Sequence, residues 1–207
     1  PTKYYDERGL DVDKFDGKLI IFNASGCTIL QKHETGHKRK AGRKRMSGRE
    51  QFMSREEGKN VLILSPLTGR AVPLEEVPDP VFSQKIIGDG MAVIPSDGRI
   101  VSPVDAQVVS VADTAHAYGL KTEDGIELLI HAGIDTVKMN GEGFETFVET
   151  GAKVKKGDKL LSFDMDLVKE KGYKTQTMFL VADAKGKEVE VVEAADADNN
   201  TKIMNLK

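Results

Sequence analysis

From Val61 onward the chain is written in short β-rich runs separated by turn signals, and this punctuation limits the fold more than any other property. The runs are Val61-Leu62-Ile63-Leu64, Met91-Ala92-Val93-Ile94, Val108-Val109-Ser110-Val111, Ile126-Glu127-Leu128-Leu129-Ile130, Lys159-Leu160-Leu161-Ser162-Phe163, Thr177-Met178-Phe179-Leu180-Val181 and Val189-Glu190-Val191-Val192. Between them lie Pro66, Gly69, Pro73, Gly88-Asp89-Gly90, Pro95-Ser96-Asp97-Gly98, Asp124-Gly125, Gly151 and Gly157-Asp158. Runs this short suit strands better than helices, so the expected fold is all-β, an antiparallel sandwich or barrel-like domain with short helical turns. One helix is expected over residues 166–171, with Leu167 and Val168 turned inward and Gly172 ending it.

The first 58 residues read differently. They hold 13 Lys and Arg against 9 Asp and Glu, whereas residues 59–207 hold 17 against 24, so a net charge of -3 averages a +4 segment and a -7 segment. Two units are expected: an N-terminal extension, 1–58, and a domain, 59–207. Much of the positive charge lies in His37-Lys38-Arg39-Lys40-Ala41-Gly42-Arg43-Lys44-Arg45, a composition that favours a solvated, poorly ordered linker. Clustered cations can also contact phosphates or anionic lipid, but no aromatic or recognition-helix pattern accompanies them, and no nucleic-acid partner is expected. Ahead of this run, Lys18-Leu19-Ile20-Ile21-Phe22 and the apolar residues after Gly26 suggest a hairpin or a strand leading into a helix, too small to fold alone. Cys27 is the single cysteine, which excludes a disulfide-stapled domain. No apolar run approaches the ~20 residues of a membrane span, and no signal-peptide pattern opens the chain, so a cytoplasmic protein is expected.

Of four histidines, two fall in the β region: His116, and His131 at the end of the run 126–130. The loop between them contains Asp124-Gly125, a hairpin signal. Counting outward from that turn sets the two imidazoles opposite one another. A lone histidine is more often a hydrogen-bonded core or rim residue. A facing pair, with Thr114 and Asp135 near, points to chemistry: one neutral imidazole as nucleophile and the other as donor to the resulting anion, or two metal ligands awaiting a third.

The stretch Gly125-Ile126-Glu127-Leu128-Leu129-Ile130-His131-Ala132-Gly133-Ile134-Asp135-Thr136-Val137 resembles the active-site signature of the glucose-family enzyme IIA domain of the bacterial phosphoenolpyruvate-dependent sugar phosphotransferase system. Ser65-Pro66-Leu67-Thr68-Gly69, Val77-Pro78-Asp79-Pro80-Val81-Phe82, Lys85-Ile86-Ile87-Gly88-Asp89-Gly90, Pro103-Val104-Asp105, Gly141-Glu142-Gly143-Phe144 and Val154-Lys155-Lys156-Gly157-Asp158 resemble further landmarks in the family's order. The resemblance covers about residues 60–200 and implies the duplicated hybrid motif type of β domain.

It implies that His131 takes a phosphoryl group from phospho-HPr and passes it to a cysteine of a sugar-specific enzyme IIB, part of a membrane permease. His116 is then the histidine that stabilises the phosphoryl group and Thr114 the hydroxyl that orients it, with Gly133 and Asp135 in the surroundings. Asp135 is expected to hold neighbouring backbone or to repel wrong partners. Val81, Phe82, Ile86 and Val137 resemble docking positions, though Phe82 could equally be a core aromatic. No cofactor or metal is implied, and regulatory proteins are possible further partners. Ala112, Ala115 and Ala132 depart from the familiar pattern, which bears on partner choice rather than on phosphorylation.

Other chemistries are weaker. His33-Glu34-Thr35-Gly36-His37 spells the zinc-peptidase pattern H-E-x-x-H, with Glu56 or Glu57 as a conceivable third ligand, but Gly36 and the absence of apolar periodicity argue against the helix it needs. His131 and Asp135 have the spacing of two ligands in lysostaphin-like peptidases, without the H-x-H that completes that site. The segment 154–160 resembles hairpins of biotinyl and lipoyl carriers, without their modified-lysine turn.

Overall fold

The computed structural model describes residues 60–207 throughout and, ahead of them, the backbone of four strands. These are β1 (Tyr4–Tyr5), β2 (Asp11–Phe15), β3 (Lys18–Asn23) and β4 (Gly26–Gln31), an antiparallel meander in that order. The hairpin alternative for the segment from Lys18 is therefore the one adopted, Lys18 pairing with Gln31 and Asn23 with Gly26. Strand β1, of two tyrosines, and β2, with three charged residues of five, had no apolar run to announce them. The basic run 37–45, the H-E-x-x-H pattern and Glu56 and Glu57 lie outside the described residues.

The domain proper is all-β. Its strands are β5 (Val61–Leu64), β6 (Gly69–Pro73), β7 (Asp89–Pro95), β8 (Arg99–Val101), β9 (Ala106–Val111), β10 (Ala117–Lys121), β11 (Glu127–His131), β12 (Phe144–Thr146), β13 (Lys153–Val154), β14 (Lys159–Phe163), β15 (Thr177–Asp183), β16 (Val189–Val191), β17 (Ala194–Ala197) and β18 (Lys202–Leu206). Eight form one antiparallel sheet in the order β13-β9-β10-β11-β15-β7-β6-β17, and the others form two three-stranded sheets, β12-β14-β8 and β16-β18-β5. Two short helices, α1 (Pro80–Ser83) and α2 (Met165–Glu170), and two 3-10 turns, Leu74–Glu76 and Thr136–Met139, complete it. Helix α2 falls one residue ahead of the expected span, with Val168 buried and Gly172 at φ 83 just beyond its end.

The large sheet is covered on both faces, and strand alternation deals its side chains into two cores. Leu128 and Ile130 of β11, Phe179 and Val181 of β15, Met91 and Val93 of β7, and Tyr118 and Leu120 of β10 enter the main core, with Ile100, Leu160 and Met204 of the small sheets. Their neighbours Leu129, Met178, Leu180, Ala92 and Ala117 face the other way, into a smaller cluster closed by Leu74, Val77, Phe82, Ile87 and Ile134. Strands buried on both faces lose the polar half of their pattern, which is why β11 and β15 read as continuous apolar runs. On the second face Ala92, Ala112, Ala117 and Ala182 are short. His131, two residues beyond Leu129, belongs to the same face by alternation, beside this low floor.

Candidate functional site

His131 is the last residue of β11, with Ala117 of β10 and Met178 of β15 paired on either side. Sequence counting placed His116 opposite it; the ladder pairs Ala117 there, one position later. His116 precedes the first paired residue and follows Ala115, which has a left-handed φ of 52. It thus stands outside the regular pleat, and the two rings still meet edge to face, centroids 4.8 Å apart at 80°. The amide of Ala132 donates to the carbonyl of His116 at 2.7 Å, so the backbones carrying the two imidazoles are bonded directly.

Each ring has a hydrogen-bonding partner at Nδ1. His131 Nδ1 is 2.8 Å from the carbonyl oxygen of Gly133. A carbonyl only accepts, so Nδ1 carries the proton, and a neutral His131 keeps its lone pair on Nε2. Thr114 Oγ1 lies 2.6 Å from His116 Nδ1. The turn that presents the Gly133 carbonyl requires a left-handed residue, φ +78, and a Cβ there would clash with the Thr136 methyl and with the Lys174 carbonyl.

Both rings are buried, His131 at 4% exposure and His116 at 1%. Burial disfavours the charged imidazolium and lowers His131 from 6.5 to about 4, against upward pulls from the Gly133 hydrogen bond and from the carboxylates of Asp79 and Asp135. His116 is lowered by burial and by the neighbouring His131, to about 2. Both are neutral near pH 7.

The rim is mixed. Phe82 is 3% exposed, with its ring edge to face on His131, centroids 5.1 Å apart. It is a wall of the site beneath the surface rather than an exposed docking residue, because α1 turns it into the small cluster. Ile86 is 61% exposed, and Val81 and Val137 are partly exposed. Asp135, at φ 62, makes no side-chain cap to the turn that follows; its carboxylate takes Lys138 Nζ at 2.9 Å instead. The expected backbone-holding role thus falls elsewhere. Asp79 was not anticipated as a site residue. It caps α1 by accepting from the Val81 amide at 2.8 Å, and its carboxylate acts on His131. Asp-Pro is a legible helix start, but its nearness to a histidine 52 positions later is tertiary. Among the described residues no group of three His, Cys, Asp or Glu is placed to hold a metal ion.

A buried, neutral imidazole with a fixed tautomer, next to a second imidazole and a hydroxyl, suits reversible attachment of an electrophilic phosphoryl group. The family described as phosphoenolpyruvate-dependent sugar phosphotransferase system, EIIA 1, matches residues 61–186. A glucose-specific EIIA component of Bacillus cereus is 45% identical over 146 residues, 70% of this chain and 88% of that protein. One from Bacillus anthracis is 49% identical over 119 residues, 58% of this chain and 72% of that protein. A glucose-specific EIICBA component of Staphylococcus saprophyticus is 44% identical over 141 residues, 68% of this chain and only 21% of that protein. Among solved structures, the glucose permease IIA from Mycoplasma capricolum superposes with a TM-score of 0.70 at 34% identity, covering 73% of this chain and 98% of the other.

Proposed function

Given that the chain belongs to the EIIA 1 family of the phosphoenolpyruvate-dependent sugar phosphotransferase system and is a phosphoryl carrier of that system, we propose that His131 Nε2 is the atom that carries the phosphoryl group. The observation that supports this is the Gly133 carbonyl on Nδ1, which leaves the lone pair on Nε2. Family membership implies HPr as donor and enzyme IIB as acceptor. As Nε2 approaches phosphorus, the bond from phosphorus to the phosphohistidine nitrogen of HPr breaks, and that ring leaves as neutral imidazole. Nδ1 keeps its proton throughout, and the positive charge arising on the ring is shared with the Gly133 carbonyl and faces Asp79 and Asp135. The second transfer reverses these roles, the phosphorus–nitrogen bond breaking as a bond to the enzyme IIB cysteine sulfur forms.

In this reading a Thr114 hydroxyl that donates to His116 Nδ1 leaves the His116 proton on Nε2, available to the phosphoryl oxygens. The docking surface is the exposed apolar side chain Ile86 with Val81 and Val137, and Phe82 supports the acceptor ring from below. The phosphoryl group adds about two negative charges close to that surface, which lets regulatory partners distinguish the two forms. The functional unit is residues 59–207, cytoplasmic and working beside a membrane permease, with 1–58 as a separate extension. Incubation with phosphoenolpyruvate, enzyme I and HPr tests the assignment: His131→Ala should gain no acid-labile, base-stable phosphate, and a variant that gains it removes His131 from the relay. His116→Gln should accept phosphate but pass it on slowly to enzyme IIB. Normal onward transfer would leave His116 with a purely structural role.

A further inference from the structure

We propose that Thr136 is a positioning residue for phosphoryl transfer, fixing the tautomer of His131 through the turn between them. The proposal rests on His131 as acceptor and adds a residue whose hydroxyl bonds to backbone rather than to an imidazole. Its side chain is wholly buried, and its hydroxyl donates to the carbonyl of Ala132 at 2.6 Å.

The turn after β11 is anchored at successive residues. The Ala132 amide is held by the His116 carbonyl at 2.7 Å, the Ala132 carbonyl by Thr136, and the Ile134 amide by the Lys174 carbonyl at 2.9 Å. Gly133 lies between these anchors, and its own carbonyl is the one that takes His131 Nδ1–H. Two features of Thr136 act on that carbonyl. The hydroxyl fixes the peptide plane immediately before Gly133. The methyl lies against the Gly133 Cα, where a Cβ could not fit. Together they set the direction of the Gly133 carbonyl, and a carbonyl in that direction stabilises only the tautomer with the proton on Nδ1. Because Ala132 also bonds to His116, the same clamp keeps the two imidazoles in register.

The alternative is a buried threonine that merely satisfies a turn carbonyl. Loss of its hydroxyl would then cost stability and leave the tautomer alone. Long-range proton–nitrogen spectra of the imidazoles in the full chain, with single-turnover phosphorylation by phospho-HPr, separate the two. Thr136→Val, which keeps the shape and loses the donor, should show His131 as a mixture of tautomers and accept phosphate about 10-fold more slowly. Thr136→Ser, which keeps the donor, should restore the Nδ1–H tautomer and most of the rate. A folded Thr136→Val with the parental tautomer and rate overturns the proposal, as does Thr136→Ser falling as far as Thr136→Val. Should Thr136→Val not fold, the Ala and Ser variants carry the same comparison. The spectra require no phosphorylation, so a chain in which His131 proves not to be the acceptor still tests the Thr136 clamp separately.

Discussion

A histidine that is neutral when folded and protonated when unfolded ties its titration to the stability of the chain. His131 titrates near 4 in the fold, against 6.5 for an ordinary histidine. Above about pH 6.5 neither state binds the proton. Between the two values only the unfolded state binds it, so stability falls as pH falls through this window, and below about pH 4 no further loss comes from this group. A shift of this size corresponds to about 3 kcal/mol. His116, pushed lower still, extends the trend to more acid solution. Urea unfolding measured between about pH 7 and 4 should therefore show a shallower loss for His131→Gln than for the parent, and equal slopes would mean that burial of this ring does not govern the acid response. What the sequence disclosed at this scale was the pairing itself. Turn counting came within one residue of the register, and Ala115 with its left-handed backbone explains why rings offset by one position still meet. Asp79 stayed hidden because only the folded chain brings α1 against the end of β11.

Strands were legible wherever a short apolar run stands between turn signals, whether buried on both faces like β11 and β15 or mostly exposed like β16. All seven apolar runs became strands. Among the strands that went unread, β6 begins at Gly69 and ends at Pro73, β8 is short between Gly98 and Pro103, β12 and β17 are mostly exposed and β13 has two residues, while β18 was missed although it carries Ile203, Met204 and Leu206. In such strands tertiary pairing overrides local propensity. Helix α2 was legible from Leu167, Val168 and its terminal glycine but not from its start, and its first turn depends on one carboxylate: Asp164 Oδ1 accepts from the amides of Asp166 at 3.0 Å and Leu167 at 2.9 Å. Asp164→Ala should cost about 1 kcal/mol, lowering the unfolding midpoint by about 2–4 °C, with no change in phosphoryl acceptance because the helix lies outside the site. An unchanged midpoint would mean that water serves these amides as well as the aspartate does.

At the scale of the whole molecule, the division of charge into a +4 segment and a -7 segment coincides with the limit of the family match, which begins at residue 61. A neighbouring solved structure covers 73% of this chain, a share close to that of the acidic part. Within it, β11 lies inside the eight-stranded sheet, flanked by β10 and β15 and covered above and below. Catalytic groups commonly ride on loops that open before the rest of a protein does. Here the amide of His131, the proposed acceptor, belongs to a strand buried along its whole length within the sheet. Its hydrogen exchange should be among the slowest in the chain, and on heating the capacity to take phosphate should disappear together with the sheet rather than ahead of it. A carrier built this way should lose its relay and its sheet in a single thermal transition.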